Sequence, residues 1–392
     1  MVSSSPARGR ILLGATEVFH ASGFHAASMS AIGAAAGVTG PALYRHFSGK
    51  HELLAAVVEA GADLVEAAFD ELEARKGPET LEVKEAAAAL SQLAADHRFH
   101  GAIIQRDTRS LNGDELARVR ARWHALVQRL ARSVARRHEG YRSHDAEMVA
   151  RAAFAVAASL SYSRTTRRVT ARQRELLHGI ISTVLTTEWV MPAAPDLPPP
   201  ARPIESLRDR ASRREAIMSV ATHLFGRHGF NNVSMEKVAE VAGVTVPTVY
   251  SHFTDKATLM STAQEYANAW LWLAVARAVQ LHSEPGARLR EILDSYARFG
   301  VDHPDHMSVL VHEVQYLPDQ YQPTALQTQQ DYVAEIVRPL QSNRPELDDP
   351  TRRLLVHAAL GVVNELTRTT RYFGRPHLQE ELARITVDIC HV

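Results

Sequence analysis

Metal and acid–base chemistry are the first possibilities to test in a chain that carries twenty histidines. Asp302-His303-Pro304-Asp305-His306 has side chains able to ligate a metal, yet a proline-centred polar loop accounts for the same run. His312-Glu313 opens the helical zinc-hydrolase pattern His-Glu-x-x-His, but the second histidine is missing. The single cysteine, Cys390, excludes an internal disulfide and a multi-cysteine zinc site within one chain. No Gly-x-Ser-x-Gly element, phosphate loop or Gly-x-Gly-x-x-Gly turn stands out. The expectation is a protein that is not an enzyme and needs no metal or cofactor.

A different set of polar side chains occurs twice. Tyr44, His46 and Lys50 recur as Tyr250, His252 and Lys256, each pair separated by 206 residues. Around them Phe19, Gly23, Phe24, Ser28 and Met29 recur as Phe225, Gly229, Phe230, Ser234 and Met235. Between 17–50 and 223–256, 14 of 34 positions are identical without a gap. The register runs on to Asp107 and Leu111 opposite Glu313 and Leu317, and Arg-Thr-Thr-Arg stands at both 164–167 and 368–371. One complete unit is therefore written twice.

The elements that must position these side chains are helical. Apolar residues recur at three- and four-residue spacing, as in Leu116, Val119, Trp123, Leu126, Val127 and Leu130, and no run alternates as a strand would. In the first copy Ile11, Leu12, Ala15, Val18 and Phe19 make one face of an opening helix that Gly23 ends. Phe24 then folds back onto the core. Ser28 caps a short second helix, Met29 to Ala36, with Ile32 and Ala35 inward. Gly37 supplies the left-handed turn, Thr39 caps a third helix, and Pro41 sits in its first turn, where a missing N–H costs nothing. A short helix, a tight glycine turn and a second short helix make a helix-turn-helix.

The string Ala36-Gly37-Val38-Thr39-Gly40-Pro41-Ala42-Leu43-Tyr44-Arg45-His46-Phe47-Ser48-Gly49-Lys50 resembles the most specific segment of the TetR family. So does its second copy, Ala242 to Lys256. The resemblance implies an all-α chain of two tandem TetR-like units. Each has an N-terminal three-helix head and a helical body for ligand binding and dimerisation. It also implies that the third helix enters the major groove of double-stranded operator DNA. Tyr44 and His46, like Tyr250 and His252, are then phosphate contacts, and Lys50 and Lys256 grip phosphate from the next helix. The plainer account of the pair is a packed aromatic and a capping imidazole. Phe47 and Phe253 are expected in the core.

The DNA-facing set is thus Thr39, Gly40, Pro41, Ala42, Tyr44, Arg45, His46 and Lys50. Its counterpart is Thr245, Val246, Pro247, Thr248, Tyr250, Ser251, His252 and Lys256. Between the copies Gly40, Ala42 and Arg45 become Val246, Thr248 and Ser251. Arginine can bond a guanine edge through two donors, whereas serine and threonine offer a hydroxyl and valine a methyl contact. An asymmetric operator is the expected consequence. Arg8 and Arg10, and Arg208, Arg210, Arg213 and Arg214, precede the heads and can reach the backbone or minor groove.

Six prolines fall within 191–203 and deny helix and strand alike, which places a linker there. The expected domains are a head at 1–55, a body at 56–190, the linker, a second head at 204–261 and a second body at 262–392. By family placement the last two helices of each body pair subunits. Here they fall at Asp145–Arg167 and Ala171–Thr187, then Pro350–Arg371 and His377–Cys390. Two such pairs on one chain permit an intramolecular pseudo-dimer with heads one DNA turn, about 34–36 Å, apart. A further homodimer of chains stays open.

The layout also resembles duplicated TetR regulators of mycobacterial lipid-import operons, which implies a small-molecule effector derived from lipid. Trp123, Trp270, Trp272, Tyr296 and Phe299 are candidates to line its cavity, with plain core packing as the alternative. A helical interaction module with a silent head is a rival, but both copies keep Tyr, His and Lys. Lys plus Arg and Asp plus Glu balance at 44 each, so any DNA surface must be local. No secretory signal or membrane span is visible, and the expected location is the cytoplasm.

Overall fold

The computed structural model describes residues 6–77, 80–162, 169–191, 207–209, 211–318, 320–372 and 374–391. The chain divides into two compact units, Met1–Pro192 and Ala193–His391. All regular structure among the described residues is helical. The proline run, the first Arg-Thr-Thr-Arg string and Arg210 lie outside the described residues.

In the first unit α1 (Pro6–Ala26), α2 (Met29–Ala36) and α3 (Gly40–Tyr44) form the head. The body follows as α4 (Lys50–Lys76), α5 (Val83–Asp96), α6 (His100–Asp107), α7 (Gly113–Arg137), α8 (Ser143–Ser159) and α9 (Ala171–Thr186). The second unit repeats this order. Its head is α10 (Arg213–His228), α11 (Met235–Ala242) and α12 (Val246–His252). Its body is α13 (Lys256–Leu281), α14 (Pro285–Asp302), α15 (Pro304–His312), α16 (Gln322–Asn343), α17 (Asp349–Arg368) and α18 (Leu378–His391).

Helix α1 breaks at Gly23, whose φ of 75° suits glycine alone, and α10 stops before Gly229 at φ 79°. The chain turned by each glycine drives the next phenylalanine inward. Phe24 packs with Ile11, Phe19, Ile32, Leu43 and Phe47, and Phe230 with the matching residues of the second head. The start of the fourth helix completes each core, through Leu53, Leu54, Val57 and Val58 in α4. The inward residues of α2 are Ile32, Gly33 and Ala36, not Ala35, which is exposed. Positions 29, 32, 33 and 36 share one stripe at helical spacing, and 35 falls off it.

The junction between head and body is polar in both units. Asp107, fully buried at the end of α6, accepts the Phe24 N–H at 3.4 Å. Arg106 pairs with that carboxylate at 2.8 Å and also donates to the Phe19 carbonyl. Glu313, buried just after α15, accepts the Phe230 N–H at 2.8 Å. The recurring acidic position therefore ties the body to the backbone just after the glycine break.

Two helix ends depart from expectation. Helix α8 ends at Ser159 and passes into a 3-10 turn over Leu160–Tyr162, short of the expected Arg167; residues 163–167 lie outside the described residues. Helix α17 ends at Arg368 rather than Arg371. Hydroxyl side chains compete for backbone partners at both places. Ser159 donates to the Val156 carbonyl, Ser161 to that of Arg98, and Thr369 to that of Glu365.

Candidate nucleic-acid interface

The helix before each reading helix carries a side-chain cap. Of the reading helices only α12 does, through Thr245, whereas Thr39, expected to cap α3, makes no side-chain capping bond. Ser28 accepts the Ala31 N–H at 3.0 Å, and Ser234 that of Lys237 at 3.2 Å, so α2 and α11 begin with a satisfied donor. Gly37 and Gly243 sit at φ 63° and 68° and close the turns. Leu43 and Val249 then anchor the inner face of the reading helix, and Phe47 and Phe253 plug its far end, all fully or almost fully buried. What is left outward is the candidate interface.

Tyr44 is 57% exposed and Tyr250 47%, unusual for a large aromatic residue in a folded domain. Arg45, Ser251 and His252 are exposed beside them, as are Thr39, Gly40, Pro41, Thr245 and Pro247, while Ala42, His46 and Thr248 are half-buried. Apart from the lysines, which begin the next helix, the structure thus gathers the candidate DNA-facing set of each head on or directly beside one short helix. In the second head an open groove runs between the starts of α11 and α13, lined by Asn231, Ser234, Met235, Tyr250, Asp255 and Lys256.

The two reading helices differ in chemistry. Arg45 has no hydrogen-bond or ion-pair partner among the described residues, so its fork is available outward. In the second head the Ser251 hydroxyl donates to the Thr248 carbonyl at 2.8 Å, and the Thr245 and Thr248 hydroxyls bond each other at 2.8 Å. The Ser251 proton and one of the two threonine protons are spent inside the helix, so of the three hydroxyls only one threonine keeps a proton to offer outward. Val246 packs against the head's core, so it sets the start of α12 rather than offering a free methyl.

The lysines are engaged inward. Lys50 Nζ donates to the His25 and Ala27 carbonyls at 3.0 and 2.9 Å and lies 4.6 Å from the centre of the Phe24 ring. Lys256 Nζ donates to the Phe230 and Val233 carbonyls at 2.8 and 2.9 Å, 4.2 Å above the Phe230 ring. Burial lowers both ammonium groups from their ordinary pKa. Each lysine closes the turn before the second helix. Lys256→Met is accordingly expected to lower the stability of the second head by about 1.5–3 kcal/mol, the range for charged hydrogen bonds. The slope of log K against log salt should stay unchanged, whereas loss of a phosphate contact would flatten it by about 0.9. Thermal melts and salt-dependent gel shifts check both halves of that expectation.

The arginines before the heads are also partly committed. Arg8 lies 5.1 Å over Phe47, and Arg214 lies 4.9 Å over Phe253 and pairs with Glu215 at 3.3 Å. Arg208 donates to the Val241 carbonyl at the end of α11.

The aromatic candidates in the bodies do not form one lining. Trp123 packs against the first head's core and meets Phe154 edge-on at 5.9 Å. Trp270 rests on Phe299 at 5.0 Å, with His303 beside both. Tyr296 stacks on Tyr332 at 5.9 Å and donates to Asn364 Oδ1 at 2.8 Å, while Trp272 meets Tyr332 edge-on at 6.2 Å. Tyr332 and Asn364 escape a search for aromatic stripes. The repeat itself carries the signal, because 206 residues earlier stand Leu90, Leu126 and Ala158 in place of Tyr296, Tyr332 and Asn364.

Two helix-turn-helix heads, each backed by its own helical body, define a tandem DNA-reading protein. The family described as bacterial regulatory proteins, tetR family, matches twice, over residues 11–57 and 217–263. The tetracyclin repressor-like C-terminal domain matches residues 282–390. The chain belongs to the TetR family, with two of its DNA-binding units in tandem. Among curated relatives it is 50% identical over 56 residues to the HTH-type transcriptional activator FasR of Mycolicibacterium smegmatis, which covers 14% of this chain and 26% of that protein. It is 35% identical over 81 residues to the HTH-type transcriptional regulator AcrR of Shigella flexneri, covering 20% and 38%. The chain thus spans well under half the length of these relatives. A solved TetR-family transcriptional regulator from Bordetella parapertussis 12822 is similar at 17% identity and a TM-score of 0.43, over 46% of this chain and 95% of that one. No helix among the described residues is long and apolar enough to cross a membrane.

Proposed function

We propose that this chain is a sequence-specific transcription regulator, a repressor released by a small, lipid-derived effector. It reads an asymmetric operator as a single-chain pseudo-dimer. The observation that carries the reading is the pair of exposed reading helices. Both present the same Tyr-x-His frame on a rigid core, yet they differ where bases are met, with a free Arg45 in one and a self-bonded Ser251 in the other. A shared frame suits the invariant phosphate backbone, and divergent side chains suit unlike half-sites. Two heads on one chain also make the second contact intramolecular, so avidity needs no partner chain. The acidic junction that ties each body to its head gives an effector a path to the reading helix. The domain limits 1–55, 56–190, 191–203, 204–261 and 262–392 belong to the same reading.

Footprinting and gel shifts on the DNA flanking the gene test it. Binding to one sequence should weaken steeply as salt rises. Arg45→Ala is expected to cost about 1–3 kcal/mol at one half-site and to relax base preference there alone. Equal protection of both arms of a perfect inverted repeat, or an unchanged preference in Arg45→Ala, would sink the asymmetric reading.

A further inference from the structure

The duplicated bodies are unlike at their centres. In the second, Tyr332 is 6% exposed, and its hydroxyl is buried with no hydrogen-bond partner among the described residues. Burial pushes that phenol well above its usual pKa, so it remains a protonated donor. A buried donor without an acceptor costs about 1–3 kcal/mol, a penalty a purely structural site would shed by carrying phenylalanine. Its ring packs on those of Tyr296 and Trp272, and Tyr296 is in turn fixed by Asn364. All are neutral. A carboxylate brought here would lose its water without gaining a cation, whereas a ketone, ester, thioester or alcohol oxygen would accept the Tyr332 proton at little cost.

The first body has given up these features. Leu90, Leu126 and Ala158 stand at the three counterpart positions, so no tyrosine pair or amide is present there. The Trp123 indole N–H of that body is also buried without a partner among the described residues, but its side chain packs against the head's core instead. Its α4–α7 seam is also laced by ion pairs. Arg122 bridges Asp63 and Glu66, and Arg129 holds Asp70 at 2.7 Å and Glu73 at 2.9 Å. Along the matching α13–α16 seam, Asp63, Glu66 and Asp70 become Ala269, Trp272 and Ala276, and Arg122 becomes Thr328. No such ladder can form there.

We propose that the second body alone takes the effector. The ligand is an apolar molecule that presents one neutral carbonyl or hydroxyl oxygen to the Tyr332 hydroxyl. The inference rests on the reading of the chain as an effector-released regulator. It adds that the first body is a fixed support for its head. Loss of one copy's responsiveness suits a fused pair, because a single occupied body is enough to disturb a two-headed grip.

The test is calorimetric titration of the full-length chain with methyl ketones, primary alcohols, carboxylates and alkanes of eight to fourteen carbons, and with a steroid ketone. The expected result is one ligand per chain, with neutral oxygenated probes binding more tightly than carboxylates of equal length. Tyr332→Phe should weaken the ketones and alcohols about tenfold and leave the alkanes unchanged. The same variant, free of ligand, should melt about 2–4 °C higher, because it loses an unpaired buried hydroxyl. Two ligands per chain would overturn the one-body assignment and spare the effector reading. Single occupancy indifferent to Tyr332→Phe, or tighter binding of carboxylates, would overturn the site or its chemistry. Failure of every probe to bind would overturn the effector reading as well.

Discussion

Phe47→Ala is expected to cost the first head about 3–5 kcal/mol and to remove protection from one half-site while the other stays covered. Phe47 is buried at the far end of α3, packed with Ile11, Phe19 and Leu43, and roofed by the Arg8 guanidinium. No neighbouring side chain can fill so large a void, and a head of this size has little stability to spare. The second head has its own plug, Phe253, within its own core, so it should keep reading its half-site. Footprinting of the variant beside wild type decides the matter. Loss of both arms together would mean that neither head holds DNA without the other.

Gly14→Val should be nearly as damaging, although the repeat makes it look harmless. The counterpart of Gly14 is Val220, fully buried in α10. At position 14, however, even a β-carbon would sit 2.7 Å from the Ala36 amide nitrogen and 3.0 Å from its α-carbon. Both are backbone atoms at the end of α2, so nothing can swing aside and the helices must part. The expected cost is about 1–3 kcal/mol or more, together with a displaced α3. Thermal unfolding and the first half-site footprint read these two effects. A variant as stable as wild type would show that α1 and α2 separate freely.

Much of each head was legible because local signals agreed. Ser28, Gly37 and Pro41 each favour the conformation the fold needs, and the second copy repeats all three. Such agreement across levels is what a sequence can show on its own. Ala35 was misplaced because four alanines and a glycine in α2 give no contrast between its faces. The inward bonds of the lysines were hidden for another reason. A long flexible amine reaches phosphate or a nearby carbonyl equally well, and only the positions of His25, Ala27, Phe230 and Val233 decide. Trp123 of the first body and Trp270, Tyr296 and Phe299 of the second were singled out for size, yet the proposed effector site rests on Tyr332. Its importance lies in a missing partner, and no sequence shows that.

The acidic junction also limits how large a switch the proposed effector could throw. Bound in the second body, it would act on the reading helix partly through one hydrogen bond, Glu313 to Phe230, whose counterpart in the first unit is Asp107 to Phe24. Breaking such a bond to a buried carboxylate is worth about 1.5–3 kcal/mol, or roughly ten- to a hundredfold in DNA affinity. That sets a ceiling on induction transmitted by this route. The bond is tighter in the second unit, 2.8 Å against 3.4 Å, so more of the available dynamic range is wired to the second head. A gene under such control would never be wholly silent nor fully freed by that bond alone; its output would be graded between two bounded levels.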